Sequence, residues 1–378
     1  MRNSSASRMQ ATPDGCALYA AFGTRIMGAI LIGVIAMIFV RALGGGGESE
    51  ARDYGASFCP PPGNVLHIAG QTREDFDSYV RYVCGNGTAC PLPAGVALYT
   101  NLKLEGLRGP HALAPGDAHQ DLPYLLKSYR NMVLQIALYL HHSQLKEVEA
   151  GKHDRQIAEF AQILRQTDRP VFLRIGYEFD GPHNKYPPEA FRRAYRRIVE
   201  RIERAGATNV SYVWHSYALK PTFGNHDPLA WFPGDAYVNW VGISFFQVTR
   251  DGPFEAPNRK RLVAIAREKN LPVMICEAGP VRFTSKQKEL TGDGYWRYWF
   301  TPFFDFIEAN PEVKAFSIIN CNWDSFSITE DFGWGDCRIN SDRVVLRNWQ
   351  GRMKSKDVLH SSRELYSLLG FRPTERSS

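Results

Sequence analysis

"VFLRIGYEFDGPHNKYPPEAFRRAYRRIVERIERAGATNVSYVW", residues 171–214, decides the architecture. It opens on an apolar run, 171–177, too uniformly hydrophobic for a strand with one wet face and therefore suited to burial on both sides. Arg174 interrupts that run, and Glu178 and Asp180 follow at its tip. From 188 to 206 the period changes. Phe191, Tyr195, Ile198, Val199 and Ile202 fall on one stripe of a helix, and the arginines of 192–204 cover its wet face. Gly206 supplies a natural helix end, and "NVSYVWHS" (209–216) is a second apolar strand. Strand, helix and strand, with both strands buried, make a parallel βαβ unit.

The same alternation extends outward in both directions. "NVLHIAG" (64–70), "AGVALYTNL" (94–102) and "NMVLQIALYL" (131–140) read as strands before the opening stretch. "NWVGISFF" (239–246), "LPVMICEAG" (271–279) and "VKAFSIINCNWD" (313–324) read as strands after it. Helical patterns fill 73–83, 121–129, 155–166, 258–270 and 294–310. Eight such units imply an α/β fold of the (β/α)8 TIM-barrel type, one domain spanning 59–378. An open doubly wound sheet is the alternative; it would carry a glycine-rich phosphate loop after the first strand, and "HIAGQTRED" is not one. The stretch from Arg338 onward is expected to cap or flank the barrel.

The 378 residues are 44% hydrophobic and 12% aromatic, enough for a large core. A formal charge of +6 is mildly basic, but its densest run is the wet helix face just described, and no nucleic-acid motif accompanies it. Residues 26–40 are uninterruptedly apolar, with arginines at 2, 8, 25 and 41. A helix of that length rises about 22 Å, short of the roughly 30 Å hydrocarbon core. It fits a signal-peptide hydrophobic region or a short transmembrane anchor helped by the flanking arginines. Either reading leaves 1–25 as a cytoplasmic tail and 41–58 as a flexible linker. Either exports the remainder, to the periplasm or the cell exterior, and the second anchors it to the inner membrane. Beyond Cys16 there are six cysteines, which allow 15 pairings, and spacing alone does not choose among them. Cys84–Cys90 and Cys321–Cys337 each close a small loop and are candidates. No spacing matches a zinc site, so no structural metal is expected.

In such barrels the chemistry gathers at the carboxyl ends of the strands. There the chain offers His67 and Gln71, then Arg174, Tyr177, Glu178 and Asp180, then Trp214 and His215. Gln247, Glu277 and the group Asn320, Asn322, Trp323 and Asp324 complete the ring. Glu178 and Glu277 end apolar strands four and seven, which face each other across a barrel mouth. Two carboxyls converging on one cleft are what glycoside hydrolysis needs, one to protonate the leaving oxygen and one to attack or to activate water. Alternatively, each is a structural partner of an arginine such as Arg174.

"LRIGYEFDG" with "YPPEAFRRAYRRIVERIERAGATNVSYVW", and "PVMICEAG" on strand seven, resemble glycoside hydrolase family 26 within the clan of (β/α)8 retaining glycosidases. The resemblance follows the element order from 64 to 324 and is specific over 171–214 and 272–279. It implies a retaining, endo-acting β-glycanase without a cofactor, with Glu178 as acid/base and Glu277 as nucleophile. Arg174 would lie at the base of the site, with Trp214 and Trp323 offering faces for pyranose rings and Trp231 or Trp334 a third. His67, Tyr177 and Phe246 complete the substrate-binding set. The chain departs from the family at two points. Tyr177 stands where histidine usually precedes the acid/base, and Phe245 or Phe246 stands where a strand-six tyrosine commonly donates to the nucleophile; Gln247 or Tyr177 could replace that donor. These departures set the chain apart from the mannanases and keep open a non-catalytic carbohydrate-binding barrel serving exopolysaccharide assembly or processing. The expected partner is a polysaccharide or oligosaccharide, on a monomer. His183 and His226 read as solvated loop residues, and Asp180 as orienting Glu178 or capping its loop. Cys276 reads as pointing toward the helices by strand alternation, and "YWRYWF" (295–300) as a core stripe.

Overall fold

The computed structural model describes residues 54–112, 118–219, 222–246, 257–281, 291–327 and 333–374. The tail, apolar segment and most of the linker read from the sequence lie outside these residues, as do Cys16 and Gln247. Among the described residues no helix is long and apolar enough to cross a membrane.

Eight parallel strands close on themselves: β1 (Val65–Ala69), β2 (Gly95–Asn101), β3 (Val133–Tyr139), β4 (Val171–Ile175), β5 (Val210–Ser216), β6 (Trp240–Phe246), β7 (Val273–Gly279) and β8 (Val313–Ile318). Each pairs with its neighbour in sequence, and β8 pairs back onto β1 with Leu66 opposite Ala315. β2 joins β1 only from Ile68 onward. The lower edge of β1 is filled instead by a two-residue strand, Val358–Leu359, from the C-terminal segment.

Six helices sit where periodicity placed them, α1 (Arg73–Ser78), α2 (Leu122–Ser128), α4 (Asp154–Gln166), α5 (Pro188–Arg204), α6 (Pro257–Glu268) and α7 (Thr301–Ala309), and two more, α3 (Gln144–Glu149) and α8 (Arg343–Arg352), were not read from the sequence. α5 shows the logic. Pro188 suits its first turn, its stripe of Phe191, Ala194, Tyr195, Ile198, Val199 and Ile202 is buried, and the chain turns out at Gly206 with φ 73°. Arg197 and Arg201 on its other face share Asp154 of α4. In the 295–300 stretch Tyr295, Trp299 and Phe300 are core, whereas Tyr298 is 57% exposed.

Strand alternation divides the apolar residues into two cores. The outward set meets the helices. The inward set, with Leu66, Ile68, Ala97, Val133, Phe172, Val213, Trp240 and Met274, fills the lower barrel. Its floor comes from a segment before β1. Phe58 packs edge-on to Phe172 and Phe371, at 6.1 and 5.7 Å between ring centres. The Ser57 carbonyl accepts from Trp240 Nε1 at 3.1 Å and Ser211 Oγ at 3.3 Å. Residues 54–58, counted with the linker in the sequence reading, are thus part of the barrel. Removing this buried ring in Phe58→Ala is expected to cost about 3 kcal/mol. A lower urea midpoint at unchanged slope checks it.

Candidate active site

β4 stops at Ile175 and the chain turns abruptly. Gly176 has φ 53°, and a Cβ there would come within 2.9 Å of the Phe191 ring. Glu178 itself has φ 52°, a left-handed conformation that a non-glycine residue holds only when its surroundings insist. They do. Phe179 N donates to His215 O at 3.1 Å, and Asn184 Nδ2 donates to the carbonyls of Tyr177 and Glu178 at 2.9 and 3.0 Å.

Glu277 arrives by a different device. Ile243 lies opposite Ile275 and Ser244 opposite Glu277, so the β6–β7 register skips Cys276. The extra residue is a bulge, which re-aims the side chain after it. Cys276 was expected to face the helices; it packs inside the barrel with Met274, Val213 and Trp240. Gly242 leaves it room, since a Cβ at that position would lie 2.7 Å from the Cys276 sulphur.

One guanidinium ties the two carboxylates together. Arg174, with no exposed surface, pairs through Nη1 with Glu277 Oε1 at 2.5 Å. Tyr99 OH donates to the same oxygen at 2.8 Å. Arg174 Nη1 also faces His215 Nδ1 at 3.3 Å. A guanidinium has only protons to give, so Nδ1 accepts and the imidazole carries its proton on Nε2. Nε2 meets Ser244 Oγ at 3.1 Å, and Ser244 Oγ donates to Glu178 Oε1 at 2.6 Å. Both glutamates are therefore acceptor ends of hydrogen bonds that originate at Arg174.

The charges follow from this wiring. Burial and the Arg174 charge hold His215 well below the usual imidazole range, which keeps it neutral. Burial pushes the Glu277 carboxyl up and the Glu178 charge adds to the push, while Arg174 and Tyr99 pull down. Arg174 and Tyr99 are thus the groups that favour the charged form of Glu277. Asp180 is raised to about 6 by burial. It accepts from Ser216 Oγ and Tyr217 N, both at 2.7 Å, so it caps the β5 loop.

Several expected residues lie elsewhere. Trp214 is on the outer face of β5, stacked on Phe179 at 4.5 Å beneath Phe232, because Val213 and His215 take the inward positions. His67 likewise points outward between Leu66 and Ile68. It is bonded to Tyr79 OH at 3.1 Å and stacked on Phe316. Trp231 is fully buried, and Trp323 is 4% exposed with its ring against Trp334. Tyr177 and Phe246 do stand at the mouth, both partly exposed. The open aromatic faces there are tyrosines: Tyr139, 39% exposed, lies against Tyr177 at 6.4 Å. His183 is a half-exposed loop residue, as read, but its Nε2 also reaches Glu178 Oε2 at 3.0 Å, a contact the sequence reading did not foresee. His226 rests against Trp231. Cys84 and Cys90 sulphurs approach to 3.1 Å as free thiols. Cys337 donates to the Cys321 carbonyl rather than bonding its sulphur. Among the described residues no cluster of three or more His, Cys, Asp or Glu could hold a metal ion.

Residues 134–331 match the glycosyl hydrolase family 26 profile. A beta-1,3-xylanase from an Alcaligenes species is 30% identical over 332 residues, covering 82% of this chain and 68% of that protein. The chain belongs to glycosyl hydrolase family 26. It is accordingly a glycoside hydrolase. A beta-1,3-xylanase from a Vibrio species is also 30% identical, over 82% of this chain and 69% of its own length. Among solved structures, a Cellulomonas fimi endo-beta-1,4-mannanase double mutant superposes with TM-score 0.55 at 18% identity, over 80% of this chain and 73% of that one. A Bacteroides ovatus family 26 beta-mannanase gives 0.54 at 13% identity, over 83% and 95%. At those identities the likeness speaks for the barrel fold alone.

Tyr99→Phe and Ser244→Ala each delete one hydrogen bond to a buried carboxyl group, worth about 1–3 kcal/mol. Each is expected to lower kcat/KM by roughly tenfold to a hundredfold, in steady-state assays paired with melting curves that show the fold intact.

Proposed function

We propose that this enzyme hydrolyses a β-linked polysaccharide by double displacement, with Glu178 as acid/base and Glu277 as nucleophile, and that β-1,3-xylan is its first candidate substrate. The observation that carries the catalytic reading is the shared origin of both carboxylates' hydrogen bonds at Arg174. The substrate reading rests on the two beta-1,3-xylanases that align over most of the chain.

In this reading each oxygen has a task. Arg174 and Tyr99 both hold Glu277 Oε1, which leaves Oε2 to attack the anomeric carbon. Ser244 holds Glu178 Oε1, which leaves Oε2 to carry the proton. As the carbon–oxygen bond to the aglycone breaks, Glu178 passes that proton to the leaving oxygen and a glycosyl ester forms on Glu277. Water then attacks the same carbon, Glu178 takes its proton, and the Glu277 carboxylate departs. Two inversions restore the original configuration. Tyr139 and Tyr177 offer the aromatic faces against which a sugar ring can lie. Export, read from residues 26–40, would bring the enzyme to such polymers.

The test is digestion of β-1,3-xylan, β-1,4-xylan, β-1,4-mannan and β-1,3-glucan by the full chain, with product masses and anomeric configuration followed from the first turnovers. A β product from β-1,3-xylan, released as mixed oligosaccharides, is expected. Glu178→Gln and Glu277→Gln are each expected to lose at least about a hundredfold in turnover. Azide should partly rescue a Glu277→Gly variant by taking the nucleophile's place. Inverted product, or full activity in either glutamine variant, would sink this assignment.

A further inference from the structure

The proton that Glu178 delivers has one available seat, Oε2, and a second side chain is already there. His183 Nε2 lies 3.0 Å from Glu178 Oε2. The loop is shaped for this contact. Gly181 N closes a turn onto Glu178 O at 2.8 Å, and a Cβ at Gly181 would intrude on the imidazole, within 2.9 Å of its Nδ1. Tyr217, from the loop after β5, meets the ring edge-on at 5.3 Å. The side chain is 48% exposed, so its proton exchanges freely with solvent.

We propose that His183 is the positioning residue of the acid/base: it holds Oε2 toward the mouth and fixes where the alkaline limb of the activity profile falls. The inference rests on the reading of Glu178 as acid/base. A carboxylate oxygen accepts two hydrogen bonds, so Oε2 can keep His183 on one side and meet the glycosidic oxygen on the other. When the proton leaves for the sugar, the imidazole N–H stabilises the carboxylate that remains. When water attacks, the same bond loosens as Oε2 takes a proton back.

The groups facing His183 are Glu178, Asp180 and Glu277 as charges and Tyr217 as a neutral ring. Burial opposes the charged imidazole, but the hydrogen bond and charge of Glu178, with the charges of Glu277 and Asp180, outweigh it and raise His183 above its ordinary range. The sign follows. A protonated His183 favours ionised Glu178, and ionised Glu178 cannot act as acid, so His183 pulls the alkaline limb of kcat/KM downward. Deleting the imidazole releases that limb.

The experiment compares kcat/KM–pH profiles of the full-length wild type, His183→Gln and His183→Ala on whichever polysaccharide of the panel is cleaved fastest. It is accompanied by NMR titration of the His183 ring in wild type and Glu178→Gln. Both histidine variants should move the alkaline limb up by about one pH unit. Glutamine, which can still donate a hydrogen bond, should keep more of the plateau rate than alanine. The His183 ring should titrate lower once residue 178 is uncharged. Variants that only scale the rate, with the limb unmoved and the ring titration indifferent to residue 178, would overturn the role of His183 while leaving Glu178 as the acid. Undiminished activity in Glu178→Gln would overturn the acid/base reading itself, and the inference with it.

Discussion

A guanidinium with no exposed surface inside a barrel is costly, by several kcal/mol, unless its charge is matched where it sits. Arg174 meets that demand with Glu277 at 2.5 Å. The rings of Tyr99 and Tyr177 lie over its charge, with centres 5.1 and 5.4 Å from the guanidinium carbon. Everything at the mouth is arranged around this pair. Tyr99 completes the bonding of the same carboxylate oxygen, and His215 is forced into one tautomer because its neighbour can only donate. Ser244 passes that polarity on to Glu178. Removing the cation would leave a buried anion, a histidine without a fixed proton and a serine without a fixed direction.

The strands pay out these side chains by simple alternation except at one place. Without the bulge after Ile275, Glu277 would turn toward the helices and its charge would be stranded in an apolar layer. The bulge is tolerated because Gly242 on the neighbouring strand is empty where the Cys276 sulphur must go. A glycine in the middle of one strand and an acid at the tip of the next are thus a single feature.

Much of this was legible beforehand. Eight apolar strands separated by amphipathic helices gave the barrel, and carboxylates ending strands four and seven gave the pair, since burial on both faces leaves a charge no other reason to be there. Trp214 and His67 lie off the site for a definite reason: each is one step out of phase with the inward face of its strand, which the period of two fixes. Val213 and His215 occupy the inward positions of β5, which leaves Trp214 outside. The same count identifies Tyr99 two residues beyond Ala97, and Ser244 between Gly242 and Phe246. His183 was not recoverable that way. Its meeting with Glu178 depends on a loop fold that Gly181 permits and no periodicity announces. The register shift that brings Glu277 inward directly after Cys276 is equally silent in the sequence.

The floor formed by Phe58 and the Ser57 carbonyl closes the end of the barrel farthest from the carboxylates. Because residues 54–58 lie there, a reporter protein, purification handle or surface attachment fused directly ahead of residue 54 joins the pole opposite the mouth that holds Glu178 and Glu277. Immobilisation through that end would leave the carboxylate-bearing mouth facing solvent.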